Sequence, residues 1–185
     1  MTRFIKSAMP LAAVVILSAC GNTEEPKANH DSHTSSEATA EQPSASATSG
    51  AVALKNNDLN AIYQHYVHLT TALTNSDMAE AKIASNAIEA GAKEVPGASS
   101  IAASAAKITA APDIETQRSA YSQLSKEIIS QVKQSGLSSG ELYVEFCPMA
   151  FNDKGASWLS PNKDIRNPYF GEKMLNCGEV TETIK

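Results

Sequence analysis

Apolar side chains recur at steps of three and four positions from about residue 57 onward, a spacing that predicts amphipathic helices. A second predicted helix covers residues 78–95, a short third one extends to about Thr109, and a long fourth one begins after Asp113. Four helices with short connections favour an antiparallel bundle. The apolar stripe of the first helix consists of Leu59, Ile62, Tyr63, Tyr66, Leu69, Thr70 and Leu73.

Turn residues separate these predicted helices. Asn75-Ser76-Asp77, Pro96-Gly97 and Ala111-Pro112-Asp113 each interrupt the apolar pattern. Ser and Asp side chains can accept hydrogen bonds from the free N–H groups of a first helical turn. We therefore expect Asp113 to be the N-cap of the fourth helix and Ser99 or Ser100 to be the N-cap of the third.

After Gly140 the pattern changes to one of alternation. Residues 141–146 alternate with period two and are rich in residues that favour strands, so they predict a β-strand. Residues 157–159 predict a second extended piece, and residues 180–184 predict a last strand antiparallel to the first. The predicted fold class is mainly α: a four-helix antiparallel bundle with a C-terminal irregular segment that contains a short β-hairpin.

The N-terminal segment has the features of a lipoprotein signal. Arg3 and Lys6 precede an apolar stretch, residues 11–17, that is too short to span a bilayer. The sequence Leu17-Ser18-Ala19-Cys20 then resembles a bacterial lipobox, which implies cleavage before Cys20 and lipid on its thiol. An ordinary secretory signal with a chance cysteine is the alternative.

This interpretation divides the chain into a signal peptide (1–19), a lipidated Cys20 with a disordered tether (20–50), and one domain (51–185). The tether contains almost no large apolar residue and therefore cannot offset the entropy of ordering. Gly21 follows Cys20 where an inner-membrane retention signal would place Asp, which by resemblance favours the outer membrane. We expect a protein of the cell envelope that faces the periplasm and is held to the membrane by its lipid.

Charge and motif content argue against several classes of function. The 185-residue chain has a formal net charge of −5, whereas nucleic-acid-binding proteins usually present a basic face. The sequence has no Gly-rich phosphate loop, no His-Glu zinc motif and no paired carboxylates, so we expect no enzyme. His65 and His68 lie three residues apart, but they fall away from the apolar stripe, and we expect them on a solvated face without a neighbouring carboxylate.

Four sulfur-containing side chains lie in the C-terminal segment: Cys147, Met149, Met174 and Cys177. Thiolates and thioethers are soft ligands that favour Cu(I) or Ag(I) over Zn(II). We expect Cys147 and Met149 on the same side of a strand end, because side chains alternate along a strand. Met174 and Cys177 are close enough to share one turn. If the two segments meet, the four sulfurs form a site that binds a monovalent metal ion.

A disulfide is the alternative for the two cysteines, because exported domains commonly contain one. A bridge between Cys147 and Cys177 would close a loop of about thirty residues and contribute roughly 3–4 kcal/mol of stability. Met149 and Met174 would then fill the core. The residue types alone leave three interpretations open: the metal site, the disulfide, and two unrelated buried thiols. In each case we expect Trp158 to anchor the segment, with Asn167 stabilising a turn and Tyr169 packing beside it.

The C-terminal runs FCPMA, GASWLS, IRNPYFGEKML and CGEV resemble a domain-of-unknown-function family. Its members occur as small envelope lipoproteins and as C-terminal extensions of the membrane-fusion (adaptor) subunits of copper/silver efflux pumps. The resemblance implies an association with heavy-metal handling, with Cys147, Met149, Met174 and Cys177 as signature residues. It also implies a possible partner, a heavy-metal efflux adaptor protein, and no established reaction.

Overall fold

Four long helices occupy the first two thirds of the described chain. A computed structural model describes residues 51–185, so the predicted signal peptide, Cys20 and the tether lie outside the described residues. Consecutive helices pack against one another, and α1 also contacts α4. The prediction of a mainly helical chain with four long helices is confirmed. The helices are α1 (Asn57–Thr74), α2 (Met78–Lys93), α3 (Ser99–Ala110) and α4 (Ile114–Ser135).

Side-chain caps begin three of these helices. Asn56 accepts from the backbone N–H of Leu59, Asp77 caps α2, and Asp113 accepts from the N–H of Thr116 at 2.7 Å. The expected serine cap of α3 is wrong, because Ala98 is the N-cap residue and both Ser99 and Ser100 lie inside the helix. Ala98 reaches that position because its N–H donates to the carbonyl of Val95 and ends the preceding turn.

Tyr66 connects the helices to the C-terminal segment at the centre of the core. Its hydroxyl is hydrogen-bonded to Ser125 Oγ at 2.9 Å and accepts from Tyr121 Oη at 2.9 Å. The same hydroxyl accepts from the backbone N–H of Leu159 at 3.0 Å. Because Tyr66 is fully buried, these bonds satisfy a polar group that would otherwise be costly to remove from water.

Two small antiparallel sheets complete the described chain. In the first, β1 (Ala53–Leu54) pairs with β2 (Leu137–Ser139), a pairing that the sequence pattern did not predict. In the second, β3 (Leu142–Cys147) lies between β4 (Ala156–Ser160) and β5 (Glu179–Ile184). The predicted hairpin is therefore part of a three-stranded sheet, in which β4 packs against α4.

The segments that join the strands are irregular. Between β3 and β4, the turn Ala150–Asp153 contains non-glycine residues with left-handed backbone, and a 3-10 helix, Gly171–Met174, precedes β5. Within residues 51–185, no helix combines the length and the apolar character that crossing a membrane would require.

Candidate thiol site

The pairing of β5 with β3 brings the two C-terminal cysteines together. Cys147 is the last residue of β3, and the register places Phe146 opposite Glu179 at the start of β5. Cys177, two residues before Glu179, consequently lies beside the end of β3. The Sγ atoms of Cys147 and Cys177 are 3.2 Å apart, and both residues are free thiols.

The two thiols differ in exposure. Cys147 is fully buried among apolar residues, whereas Cys177 is half-buried. The hydrogen bond with Cys147 raises the pKa of the Cys177 thiol, and burial and the charge of a Cys147 thiolate raise it further. Cys177 is therefore protonated at neutral pH, and a metal ion that binds it must displace that proton.

The two methionines lie in the turns beside the cysteines. Cys177 donates its backbone N–H to the carbonyl of Met174 at 3.1 Å, so these two residues do share one turn. Met174 is half-buried, and Met149 is 48% exposed. The expectation that the pleat of a strand would orient Met149 like Cys147 is wrong, because β3 ends at Cys147 and Met149 has helical backbone angles.

Asn167 holds the loop that carries Cys177. Its fully buried side chain donates from Nδ2 to the carbonyl of Cys177 at 2.7 Å, and its Oδ1 accepts from the N–H groups of Tyr169 and Phe170. Its own N–H donates to the carbonyl of Leu175 at 2.8 Å. The Asn167 side chain thus pairs with the backbone N–H groups of the turn that follows it and also fixes the backbone of Cys177.

A cluster of aromatic rings packs the segment around Asn167 against α4 and β4. The ring of Tyr169 lies 5.6 Å from that of Tyr121 in α4 and 5.8 Å from that of Trp158 in β4. Its hydroxyl donates to the carbonyl of Ser157 at 2.6 Å, and burial raises the pKa of Tyr169 well above the ordinary value, which keeps the phenol neutral. Trp158 is 1% exposed and Tyr169 4%, so both rings contribute large apolar areas to the core.

Gly178 allows the Cys177 loop to approach β3 closely. Its φ is +141°, and a Cβ atom at this position would lie 2.9 Å from the carbonyl oxygen of Phe146 and 3.1 Å from the Trp158 ring. A side chain here would push the Cys177 loop away from Cys147. Sequence reasoning did not assign this role, although the Cys-Gly pair in the motif was a signal for it.

Arg118 is a second residue that sequence reasoning missed. It lies in α4 and is 2% exposed, yet its charged guanidinium donates four hydrogen bonds. Its position four residues after Ile114 and three before Tyr121 places it on the apolar stripe of α4, and that spacing was the available signal.

Other possible ligands lie apart from the thiol pair. Within residues 51–185, no three His, Cys, Asp or Glu side chains are grouped so that they could hold a metal ion. His65 and His68 are exposed, as expected for a solvated face. The expectation of no neighbouring carboxylate is wrong for His68, because its Nε2 lies 2.9 Å from Glu80 Oε1. Glu80 belongs to the next helix, α2, so its position along the sequence did not indicate this contact.

Comparison with known proteins gives a match over part of the chain and no function. No curated protein and no solved structure matches the chain. One family model matches residues 62–140. This match ends before the sulfur motif begins at Phe146, so it gives no support to the motif. Residues 62–140, which contain nearly all of the helical part, match the family described as Protein of unknown function (DUF3347), and the predicted resemblance to a domain-of-unknown-function family is confirmed there.

Proposed function

We propose that this protein binds a soft monovalent metal ion, Cu(I) or Ag(I), at the pair Cys147 and Cys177. The single observation that supports this proposal most strongly is the 3.2 Å separation of the two sulfur atoms, which come from segments thirty residues apart. Two thiolates that lie this close together can both bind one soft metal ion. The thioethers of Met149 and Met174, each within three residues of a cysteine, complete the proposed ligand set.

The environment of the pair suits holding an ion more than turning over a substrate. Catalytic cysteines are usually activated by a lowered pKa, whereas the pKa of Cys177 is raised. Burial of Cys147 restricts access by water and by small oxidants. We infer that the protein acts as a buffer for the ion or as an accessory to metal efflux, with no chemical turnover.

The proposed setting is the bacterial envelope. The lipobox-like sequence at Cys20 supports a lipid anchor, and by resemblance the outer membrane and a heavy-metal efflux adaptor are its membrane and partner. In this proposal the four helices form an antiparallel bundle that acts as a rigid platform for the sulfur segment.

The direct test is a Cu(I) titration against a competing chelator. The full chain carrying Cys20→Ser is reduced and solubilised in detergent, so that Cys147 and Cys177 are its only cysteines. We expect stoichiometric binding that is lost when both cysteines are replaced by Ser. Met78→Leu, in α2, is the matched control for a thioether outside the site and should bind like the parent. Binding that survives the double cysteine substitution would reject the site.

A second candidate is a structural module with a Cys147–Cys177 disulfide and no metal. The same sulfur separation favours it, because a disulfide bond of about 2.0 Å needs only a small further approach of the two atoms. Mass spectrometry of protein taken from the envelope distinguishes the two. A complete bridge, together with no metal binding after reduction, would establish this candidate instead.

A further inference from the structure

We propose that Arg118 is a positioning residue for the thiol pair: through the loop that carries Asn167, it holds Cys177 against Cys147 and thereby sets the reactivity of the two thiols. This proposal concerns the geometry of the pair and does not depend on metal binding. It also gives the helical part of the chain, to which α4 belongs, a specific role in the chemistry of the C-terminal motif.

The guanidinium of Arg118 joins three separate segments. Nε donates to the carbonyl of Pro168 at 2.9 Å, and Nη2 donates to the carbonyl of Leu73 at 3.1 Å and to Ser76 Oγ at 3.1 Å. Nη1 pairs with Glu115 Oε1 at 2.9 Å, within α4 itself. α4, the C-terminal end of α1 and the loop before the 3-10 helix are therefore fixed to one planar group.

Charge and shape both favour arginine at this position. The carbonyl of Leu73 lies in the last turn of α1, where the helix dipole favours a cation, and it accepts from Arg118 in addition to the backbone N–H of Ser76. Lysine has the same charge, but its ammonium cannot reproduce the fixed fork of a guanidinium. A substitution of Arg118 by Lys would therefore keep the charge and lose part of the connection to Pro168.

The connection continues from Pro168 to Cys177 in two steps. Pro168 follows Asn167 in the chain, so a fixed carbonyl at Pro168 also fixes the position of the Asn167 backbone. The Asn167 side chain then donates to the carbonyl of Cys177 at 2.7 Å. From Arg118 Nε to the Cys177 backbone, each step is a covalent link or a hydrogen bond, the one to Pro168 buried and the one to Cys177 partly buried.

Gly171 shows how closely this loop is packed on Arg118. Its φ is +59°, and a Cβ atom there would lie 2.8 Å from Arg118 Nη2 and 2.8 Å from the carbonyl oxygen of Thr74. Its N–H donates to the carbonyl of Asn167 at 3.0 Å. Any side chain at this position must displace either the guanidinium or the loop.

The test measures how readily the two thiols join. With oxidised glutathione, the thiolate of one cysteine forms a mixed disulfide and releases one glutathione. The second thiolate then displaces the other glutathione, so that two protons and two electrons leave the protein. The equilibrium constant of this exchange reports the effective concentration of Cys147 and Cys177 toward each other. The full chain carrying Cys20→Ser is used, so that no third cysteine interferes.

We expect Arg118→Lys and Asn167→Ala each to lower this equilibrium constant about tenfold, the change that corresponds to losing a buried hydrogen bond. Arg166→Lys is the matched control, because Arg166 is exposed and lies next to Asn167, and it should leave the constant unchanged. Ile101→Val, in the core of α3, controls for a general loss of stability and should lower the melting temperature without changing the constant.

An Arg118→Lys protein with native helix content and an equilibrium constant within about twofold of the parent's would overturn the proposal, because a merely structural role changes the melting temperature alone. If Arg118→Lys does not fold, Gly171→Ala decides the matter, since its added methyl group must separate the loop from the guanidinium while Arg118 itself is kept. An unchanged constant in a folded Gly171→Ala protein would reject the proposal as well.

Discussion

Glu145 is a buried acid in the middle of β3, two residues before Cys147. Neither of its carboxylate oxygens has a hydrogen-bond partner among the described residues. Burial raises the pKa of Glu145 from 4.5 to about 8, with a smaller increase from Asp164 and a partial offset from the nearby side chains of Trp158 and Ser160. At neutral pH the folded chain therefore keeps a proton on Glu145 that the unfolded chain releases.

This difference predicts that stability depends on pH. Below a pH of about 4.5 both states hold the proton, and the favourable burial of a neutral carboxyl is fully present. As the pH rises toward about 8, the unfolded state is favoured increasingly because only it has released the proton. We expect the free energy of unfolding, measured with urea on the reduced protein, to decrease between about pH 5 and about pH 8. This range lies between the pKa of Glu145 in the unfolded chain and its pKa in the folded chain.

Glu145→Gln is the matched variant for this prediction, since it keeps the shape of the side chain and cannot titrate. Its free energy of unfolding should exceed that of the parent at the alkaline end of the range and should change less with pH. A parent and a variant with parallel pH profiles would show that Glu145 does not titrate in this range.

At the scale of elements, the turn between β3 and β4 contains three consecutive non-glycine residues with left-handed backbone. The φ angles are 55° at Phe151, 56° at Asn152 and 62° at Asp153. Each such residue costs about 1 kcal/mol relative to glycine, because its Cβ crowds the following carbonyl. Gly155 ends the turn, and its missing side chain makes room for the Phe146 ring.

We predict that Asp153→Gly stabilises the protein by about 0.5–1 kcal/mol, because glycine adopts this backbone conformation without strain. Lys154→Gly is the matched control one residue later, where φ is −78°, and it should destabilise the protein. Chemical denaturation of both variants measures the two effects. A stabilisation by Lys154→Gly, or a loss of stability with Asp153→Gly, would contradict the described turn.

The elements differ in how well the sequence predicts them. The four helices were predictable because caps such as Asp77 and Asp113 and the apolar spacing are local signals. The pairing of β1 with β2 was not, because a two-residue strand has no periodicity. The left-handed turn was also missed, since nothing local requires Phe151 to adopt that backbone conformation.

The same division applies to the candidate site. The identities of Cys147 and Cys177 as a pair were predictable from their residue type and number, and Asn167 from its place in a turn. The contributions of Arg118 and Gly178 depend on contacts between segments that are distant along the chain. Long-range packing of this kind leaves only a weak trace in one sequence, such as a charged residue on an apolar stripe.

At the scale of the whole molecule, we propose that a lipid on Cys20 anchors the chain to a membrane. Cells grown with radioactive palmitate should incorporate the label into the parent protein and not into Cys20→Ser. The matched control is Cys177→Ser, which should be labelled like the parent because its thiol lies in the folded domain. Label that remains in Cys20→Ser would contradict the lipid anchor.

We propose that sulfur atoms of the C-terminal segment bind the metal ion. X-ray absorption spectroscopy of the reduced chain carrying Cys20→Ser and one equivalent of Cu(I) tests it most directly. We expect a first coordination shell of sulfur alone, which weakens when Met174→Leu is introduced and disappears when Cys147 and Cys177 are both replaced by Ser. A shell dominated by nitrogen or oxygen, or one that the double cysteine substitution leaves unchanged, would reject the sulfur site.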